Sequence, residues 1–312
     1  MKPQLAEDAI LDKVVFPCIV QPKVDGVRAL NLNGTLTGRS LDPFEGFGIT
    51  EHFSKPEFIG LDGEMVLGTD PRADRLCSLT TGAMGRFKGV TEMADLHWHV
   101  FDYVTPEVAT QPYHVRYTLL KNRVFALNNP RIHLMPMINC YTEQDLARVT
   151  ASYAEMGYEG TIIRNPSAVY KEGRATKKGQ ELWRIKPWGD FEILVTGVTE
   201  GNRNENEAKT NTLGRTERSS AQNGLVPNGQ VGSIQGTLVK DLVVNGGSLT
   251  LAAGTPITAG SGKMTVEEAA DYFQNQHKIV GHYAKIKHLP YGVKTAPRFP
   301  TFETLRLRED MS

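Results

Sequence analysis

A lysine that could act as a nucleophile stands in the hexapeptide Lys23-Val24-Asp25-Gly26-Val27-Arg28. Free lysine has a pKa of about 10.4, so its amine is a poor nucleophile at neutral pH unless burial or nearby cations lower that pKa. Lys186 or a bound divalent cation could give this help and could also withdraw charge from a phosphate under attack. Taken alone, the hexapeptide is more typical of a charged surface turn, so other motifs have to decide.

Five more short motifs follow this hexapeptide along the chain. They are Gly38-Arg39-Ser40, Leu61-Asp62-Gly63-Glu64, His99-Val100-Phe101-Asp102-Tyr103, Glu159-Gly160-Thr161-Ile162-Ile163-Arg164 and Leu182-Trp183-Arg184-Ile185-Lys186. Each could arise by chance, but their joint order over about 165 residues makes coincidence very improbable. In order and approximate spacing the six resemble motifs I, Ia, III, IIIa, IV and V of the covalent nucleotidyltransferases, the superfamily of DNA ligases, RNA ligases and mRNA capping enzymes.

Two segments nearer the C-terminus extend this resemblance. Val231-Gly232-Ser233-Ile234 resembles the Val-Gly-Ser strand of the ligase OB-fold, and Arg298-Phe299-Pro300 with Arg308-Glu309-Asp310 resembles ligase motif VI. Met311 stands where the family usually has a lysine. The resemblance covers nearly the whole chain except residues 200–228, and it indicates an ATP-dependent DNA ligase of the compact bacteriophage (T7-like) type.

The resemblance implies roles at the phosphates. Lys23 would attack the α-phosphate of ATP and form a lysyl-AMP with release of pyrophosphate. Lys186 and Arg184 lie two residues apart on a strand and so share a face, which lets both reach one phosphate. Asp25 is a candidate for orienting the nick or its metal.

Five residues are expected around the adenosine. Phe101 would stack on the adenine, because a flat aromatic side chain offers a platform to any base. Arg28, Arg39 and Glu64 are expected near the ribose. Gln21 shares the face of the nucleophile if the strand is regular and could read the adenine edge, but an ordinary edge-strand glutamine is an equally good interpretation.

Two carboxylates are candidates for a metal site. Glu64 and Glu159 would hold Mg²⁺ or Mn²⁺, because such cations prefer oxygen ligands and keep several waters. His97 and His99 share a strand face and suggest a metal pair at first sight. Two ligands without a third nearby make a weak site, so we predict structural roles for both histidines.

The elements that position these motifs follow from apolar periodicity. Strand patterns cover residues 27–32, 58–67 and 96–104, and Asn33-Gly34 predicts a tight two-residue hairpin turn. Helical spacing covers 117–129 and then a helix that begins at Thr142 with a capping signal and ends at Gly157. Strands at 161–164 and 182–186 complete a first domain of antiparallel sheets with flanking helices.

After residue 188 the pattern changes to that of a small β-barrel. Strand patterns cover 191–198, 231–239, 242–253 and 282–288, with one short helix that begins at Thr265. We therefore predict an α+β protein with an adenylation domain at 1–188 and an OB-fold DNA-binding domain at 189–312. The polar stretch 200–228 is poor in apolar residues and is predicted to be a mobile insertion.

Composition limits the remaining classes of protein. The chain has 312 residues and a formal net charge of zero, so any nucleic-acid binding must come from local basic clusters. Acidic residues in the first thirteen positions and the lack of a long apolar run argue against a secretion signal and a membrane span, and favour the cytoplasm, or the host cytoplasm if the source is viral. Three scattered cysteines indicate neither disulfides nor a zinc site.

Two basic clusters are visible in the sequence. The first contains Arg164, Lys171, Arg174, Lys177, Lys178, Arg184 and Lys186, and the second contains Lys285, Lys287, Lys294, Arg298, Arg306 and Arg308. Such clusters are usually solvated faces, but beside these motifs they favour a phosphate-backbone partner. We predict a monomer that seals nicks in duplex DNA without sequence preference, and an RNA ligase or a GTP-dependent mRNA capping guanylyltransferase is the alternative.

Overall fold

The computed structural model describes the chain except residues 45, 47, 73, 74, 86–94, 245, 246, 248, 291, 292, 294 and 308–312. The chain forms two compact units, Met1–Lys186 and Pro187–Ser312. The boundary expected from the sequence lies after residue 188.

The first unit contains short helices and many strands. Its strands are β1 (Gln4–Leu5), β2 (Glu7–Asp8), β3 (Cys18–Lys23), β4 (Val27–Asn31), β5 (Leu36–Thr37), β6 (Leu61–Leu67), β7 (Leu96–Tyr103), β8 (Ile132–Leu134), β9 (Ile138–Cys140), β10 (Gly160–Arg164), β11 (Gly173–Arg174) and β12 (Trp183–Ile185). Its helices are α1 (Ile49–Phe53), α2 (Leu76–Met84), α3 (Tyr113–Leu127) and α4 (Glu143–Glu155).

Two five-stranded sheets organise this unit. One has the strand order β2-β12-β10-β3-β9 and the other has the order β5-β4-β6-β7-β8, while β1 pairs with β11. The prediction of antiparallel sheets needs correction, because β1–β11, β2–β12 and β7–β8 are parallel pairs. Parallel neighbours need a connection that crosses back, and the helical segment between β7 and β8 supplies one.

Each sheet is covered by one of the longer helices. Helix α4 begins at the expected capping box, in which Thr142 and Asp145 exchange side-chain and backbone hydrogen bonds. Its buried face, Leu146, Val149 and Tyr153, packs with the apolar residues of β3 and β10. Helix α3 covers the other sheet, where Trp98 of β7 is fully buried. Each of the two sheets therefore packs against one long helix.

The turn after β4 differs from the expected one. Leu36 is the residue paired with Asn31, so four residues connect the strands instead of two. Gly34 has a φ of 89°, and its backbone N–H donates to the Asn31 side chain at 2.8 Å. The Asn31 side chain thus closes a wider turn locally, which the Asn-Gly dipeptide alone does not predict.

The second unit is built on a closed barrel. Its strands are β13 (Gly189–Asn204), β14 (Ala208–Thr210), β15 (Thr216–Arg218), β16 (Leu225–Leu238), β17 (Leu242–Val244), β18 (Leu249–Leu251), β19 (Pro256–Gly260), β20 (Tyr283–Leu289) and β21 (Arg298–Arg306), with one helix, α5 (Val266–Gln274). The barrel order is β13-β16-β19-β21-β20. The predicted strand 242–253 is instead a separate hairpin of β17 and β18, and β19 takes its place in the barrel.

The polar stretch 200–228, predicted from its composition to be a mobile insertion, is regular in secondary structure. Strands β13 and β16 continue past the barrel and stay paired as far as Asn204 and Leu225. A second hairpin, β14 with β15, lies between them. None of residues 199–230 is buried. Cross-strand backbone hydrogen bonds therefore form this ribbon without an apolar core, and apolar content could not reveal it.

Candidate active site

Strand register brings the motif residues together in the first unit. Gln21 of β3 and Arg184 of β12 are paired with the same residue of β10, the strand between them. Lys23 ends β3 opposite Gly160, and the backbone N–H of Glu159 donates to the carbonyl oxygen of Lys23 at 3.0 Å. Sheet pairing thus places a lysine, a carboxylate and an arginine that are far apart in sequence along one edge of the site.

Lys23 and Lys186 bind one carboxylate. Lys23 Nζ donates to Glu159 Oε2, and Lys186 Nζ donates to Glu159 Oε1 at 2.5 Å. The Glu159 side chain is only 6% exposed. Burial raises the pKa of Glu159, but the two ammonium groups lower it more, and the net pKa lies below its ordinary value. An ionised carboxylate therefore holds two amines side by side.

A second row of residues crosses the other sheet. Arg28 of β4 lies opposite Glu64 of β6, and Glu64 lies opposite His99 of β7. Arg28 donates two hydrogen bonds to the buried Asp62 carboxylate, Nε to Oδ1 and Nη2 to Oδ2, each of 2.6 Å. Burial raises the pKa of Glu64 to about 7, against the opposing effect of Lys23 and Arg28. Glu64 is thus a carboxyl group whose charge depends on what binds beside it.

A cavity lies at the meeting of these rows and is strongly cationic. Its basic lining residues are Lys23, Arg28, Arg39, Arg164, Arg174 and Arg184. Glu64 is the acid among its described lining residues, and Leu5, Phe101 and Met135 give it an apolar part. A cavity with this lining fits a ligand that combines several negative charges with a flat apolar group.

The apolar part of the cavity is formed around Phe101. The Arg28 and Arg164 guanidinium carbons lie 4.6 and 5.4 Å from the centroid of its ring. Gln21 lines the same cavity and is buried. Its strand β3 lies between β10 and β9, so the interpretation of Gln21 as an edge-strand residue is wrong.

The other three predicted site residues, Arg184, Arg39 and Asp25, lie outside the group around Glu159. Arg184 Nε donates to Asp8 Oδ1 at 2.7 Å, so Arg184 and Lys186 are held by different carboxylates. Arg39 is exposed and lines the cavity. Asp25 is partly buried in the turn between β3 and β4, outside the described lining of the cavity.

The two histidines of β7 form a stack with a third. His133 lies between His97 and His99, with ring centroids 5.1 and 4.9 Å apart. His97 shares hydrogen bonds with His133, at 2.8 Å, and with Asp95, at 3.1 Å. In the described residues no group of three or more His, Cys, Asp or Glu side chains is arranged to hold a metal ion. His97 and His99 are both buried in β7.

Sequence reasoning assigned no role to several residues that organise the site. Asp62 and Asp102 lie inside the motifs but were not singled out, although Asp62 shares the face of Glu64 two residues later. Arg164 was counted in a solvated basic cluster, and it is only 2% exposed. A basic residue that ends an otherwise apolar strand was the available signal for its burial.

The motif VI match lies partly outside the described residues. Arg308-Glu309-Asp310, Met311 and Lys294 are not described. Arg298 begins β21, and Phe299 beside it has a φ of 52° and is 60% exposed. The Arg298 guanidinium lies 5.2 Å from the centroid of the Phe299 ring. A bulky residue held with positive φ at the surface is uncommon.

Within the residues that the structure describes, none of the helices is both long enough and apolar enough to cross a membrane.

Comparison with known proteins gives a family and a fold. The family model for the ATP dependent DNA ligase domain matches residues 3–186. The DNA ligase of African swine fever virus (isolate Warthog/Namibia/Wart80/1980) is 28% identical over 145 residues, which are 46% of this chain and 32% of that protein. The DNA ligase of Enterobacteria phage T3 is 30% identical over 106 residues, 30% of each chain. The chain thus spans about a third of the length of the curated relatives that it matches.

Solved structures share the fold over the whole chain. Chlorella virus DNA ligase-adenylate is 23% identical with a TM-score of 0.52, and the match covers 99% of both chains. A structure from a study of Lig E DNA ligases is 19% identical with a TM-score of 0.68, and the match covers 98% of this chain and 99% of that one. These likenesses establish mixed sheets with few helices in the arrangement of nucleotidyltransferase ligases.

Proposed function

The chain belongs to the family of ATP-dependent DNA ligases, and from this premise we propose that it seals nicks in duplex DNA through a lysyl-AMP intermediate on Lys23. The observation that carries the proposal is the pair of amines, Lys23 and Lys186, on the single buried carboxylate of Glu159 beside a cationic cavity. An isolated surface lysine would need neither a buried carboxylate nor a second amine.

The proposed reaction has three steps. The deprotonated Lys23 amine attacks the α-phosphorus of ATP, a N–P bond forms, and the bond to pyrophosphate breaks. An oxygen of the 5′-phosphate at the nick then attacks the same phosphorus, the N–P bond breaks, and the lysine is released. Finally the 3′-hydroxyl attacks the 5′-phosphorus, the new phosphodiester forms, and AMP leaves with the electron pair.

The residues of this chain contribute mainly position and charge. Glu159 fixes the direction of the Lys23 amine, and Lys186 adds a positive charge next to the phosphate that is attacked. Arg184 and Arg39 lie on the cavity wall where further phosphate or ribose oxygens can be bound. Asp25, in the turn after the nucleophile, is proposed to orient the nick.

Phe101, Gln21, Arg28 and Glu64 are proposed to bind the nucleoside. Stacking on Phe101 is tolerant of the base, because every base has a flat face. Selection of the base must therefore come from a polar group, and Gln21 is the buried amide at this end of the cavity. Two hydrogen bonds to Asp62 fix the Arg28 side chain, so that its guanidinium is already in position when the ribose binds.

A divalent cation fits the residues present. Glu64 and Glu159 offer carboxylate oxygens near the phosphate end, and Mg²⁺ bound with nucleotides needs only one or two protein carboxylates beside water and phosphate. Burial raises the pKa of Glu64 to about 7, and a bound cation would offset this effect by stabilising the ionised carboxylate. When bound, Mg²⁺ or Mn²⁺ would neutralise charge on the phosphates.

We also propose that the second unit is an OB-fold that binds the DNA. If the five barrel strands are numbered as they occur in the chain, their order around the barrel is 1-2-3-5-4, and α5 lies between strands 3 and 4 in the chain. This topology supports the assignment. Lys285 and Lys287 alternate with buried residues of β20 and so face outward. Such side chains contact phosphates, so DNA binding should be independent of base sequence and sensitive to salt. We propose that the protein binds DNA as a monomer.

The direct test is a sealing assay on a duplex that carries one nick with a 3′-hydroxyl and a 5′-phosphate. With Mg²⁺ and ATP the full chain should join the strands, and GTP or NAD should not replace ATP. A matched nick with a 5′-hydroxyl is the control and should stay open. Covalent labelling of the protein by GTP without sealing would favour the capping alternative, and sealing of RNA ends only would favour the RNA ligase alternative.

A further inference from the structure

The amide of Gln21 has a fixed orientation at the base end of the cavity. Its Oε1 lies 3.2 Å from Arg164 Nε and 2.9 Å from the Tyr113 hydroxyl. A guanidinium can only donate hydrogen bonds, so the amide oxygen must face Arg164. The amide NH₂ is then directed elsewhere, and Gln21 Nε2 is buried with no hydrogen-bond partner in the part of the chain that the structure describes.

Arg164 is the donor that decides this orientation. The Tyr113 hydroxyl has one proton and two acceptors within reach, Gln21 Oε1 at 2.9 Å and the Phe101 carbonyl oxygen at 2.8 Å. Burial raises the pKa of Tyr113, so the hydroxyl keeps that proton. When Tyr113 donates to Phe101, Arg164 is the one donor among the described residues that holds the amide oxygen. A hydrogen bond from a charged donor is also about twice as strong as a neutral one.

Arg164 itself cannot move easily. Its Nη1 donates to Asp102 Oδ2 at 3.2 Å, and its guanidinium lies 4.2 Å from the centroid of the Tyr113 ring. Asp102 is buried and is bound a second time by Arg116, at 2.9 and 3.1 Å. Two arginines therefore share one buried carboxylate, and the whole group lies behind the base end of the cavity.

We propose that Arg164, held by Asp102, is a positioning residue that selects the base: it turns the Gln21 amide so that its NH₂ meets a hydrogen-bond acceptor on the base. Adenine offers such an acceptor at N1, where guanine carries an N–H that would face the NH₂. The inference rests on the proposed function and assigns base selection in that same site. An unpaired buried donor is costly, so binding of a base with the acceptor satisfies it and a base without the acceptor does not.

The test removes the acceptor N1 from the nucleotide, the positioning residue Arg164 from the protein, or both. The rate of covalent labelling of Lys23, as a function of nucleotide concentration, is measured with ATP, GTP and 1-deaza-ATP, in which a carbon replaces N1. For the unchanged protein we expect kcat/KM to be about tenfold higher for ATP than for 1-deaza-ATP, as for the loss of one buried hydrogen bond. Arg164→Lys should bring that ratio close to one, mostly through a higher KM for ATP, and should narrow the preference over GTP.

Two further variants keep the test decisive. Gln21→Met removes the amide without touching the ion pairs of Asp102, and it should abolish the ATP to 1-deaza-ATP ratio even if Arg164→Lys does not fold. Arg148→Lys, an exposed arginine of α4, is the matched control and should keep the ratio. A purely structural role for Arg164 would lower labelling by both nucleotides equally.

The outcomes separate this inference from the proposed function. An unchanged ratio in Arg164→Lys or in Gln21→Met, in a protein that unfolds at the same temperature as the unchanged protein, overturns the inference while labelling of Lys23 by ATP stands. A protein that takes up no label from ATP at all overturns the proposed function.

Discussion

At the scale of single residues, the site depends on how one carboxylate is shared. Glu159 neutralises part of the charge of Lys23 and Lys186 at once, and neither amine has an ion pair of its own in the hydrogen bonds described. In the proposed reaction the Lys23 amine attacks phosphorus, and Lys186 places a second positive charge on the same carboxylate. One carboxylate therefore positions both the proposed nucleophile and the cation proposed to stabilise the phosphate.

Replacement of the proposed nucleophile gives the first prediction. Lys23→Ala should abolish self-adenylation and sealing with ATP, because the amine proposed to form the N–P bond is removed. The measurement is transfer of label from α-labelled ATP to the protein. Lys121→Ala, at an exposed position of α3, is the control and should label normally. Label in Lys23→Ala at the level of the unchanged protein would show that another residue is the nucleophile.

The stacking residue gives the second prediction. Phe101→Ala should weaken the use of ATP by about 1–3 kcal/mol, the usual contribution of a base stacked on an aromatic ring. Closure of a nick that already carries AMP should fall less, since that substrate bypasses the capture of ATP. Phe125→Ala removes a phenyl group that is 87% exposed and serves as the control. Activity equal to the unchanged protein at limiting ATP would contradict the stacking role.

At the scale of elements, periodicity predicted the strands that carry the motifs but not how they pair. The strands around Gln21, Glu64 and Arg184 were expected, whereas the register that aligns them is set by hydrogen bonds between distant segments. Helices α1 and α2 were missed because each is short, and α2 begins without a capping side chain. Burial of Arg164 has one sequence signal, a basic residue at the end of an apolar strand, but its ion pair is with Asp102, whose strand belongs to the other sheet, and that pairing is not predictable from the pattern.

The histidine stack gives a prediction at this scale. Burial, and then His133, lower the pKa of His99 from 6.5 to about 4, with His97 acting in the same direction and Asp70 in the opposite one. The folded state thus favours neutral His99, so stability is complete above pH 6.5 and is lost as pH falls toward 4. Because the unfolded chain takes up a proton at His99 more readily than the folded one, the free energy of unfolding should fall by about 2 kcal/mol from pH 7 to pH 5.

The matching experiment is urea unfolding of the unchanged protein and of His99→Phe at both pH values. The phenyl group fills the same space and cannot take up a proton. His99→Phe should lose less stability on acidification than the unchanged protein. The same loss in both proteins would assign the acid sensitivity to other groups.

At the scale of the whole molecule, the two units each contain their own buried core. The residues proposed for nucleotide chemistry belong to the first unit, and the barrel carries the outward lysines of β20. Independent cores mean that the first unit should fold alone. The resemblance to ligases further implies that motif VI of the barrel assists the attack on ATP.

Truncation tests this division. A chain of residues 1–188 should bind nicked DNA poorly and adenylate itself slowly, with Lys23 intact. It should close a nick that already carries AMP better than it completes ATP-dependent sealing, because that substrate bypasses the attack on ATP. Both rates are measured beside those of the full chain. Equal rates in both assays would refute the role of the barrel.

In the proposed reaction AMP from ATP becomes attached to Lys23 and is then passed to a nick. The full chain is incubated with Mg²⁺ and α-labelled ATP, digested, and the labelled peptide is mapped by mass spectrometry, while a second portion receives nicked duplex. We expect one AMP on Lys23, and its loss on addition of the nicked duplex together with a joined strand. Label on another residue, or label on Lys23 that nicked DNA does not remove, would contradict the account.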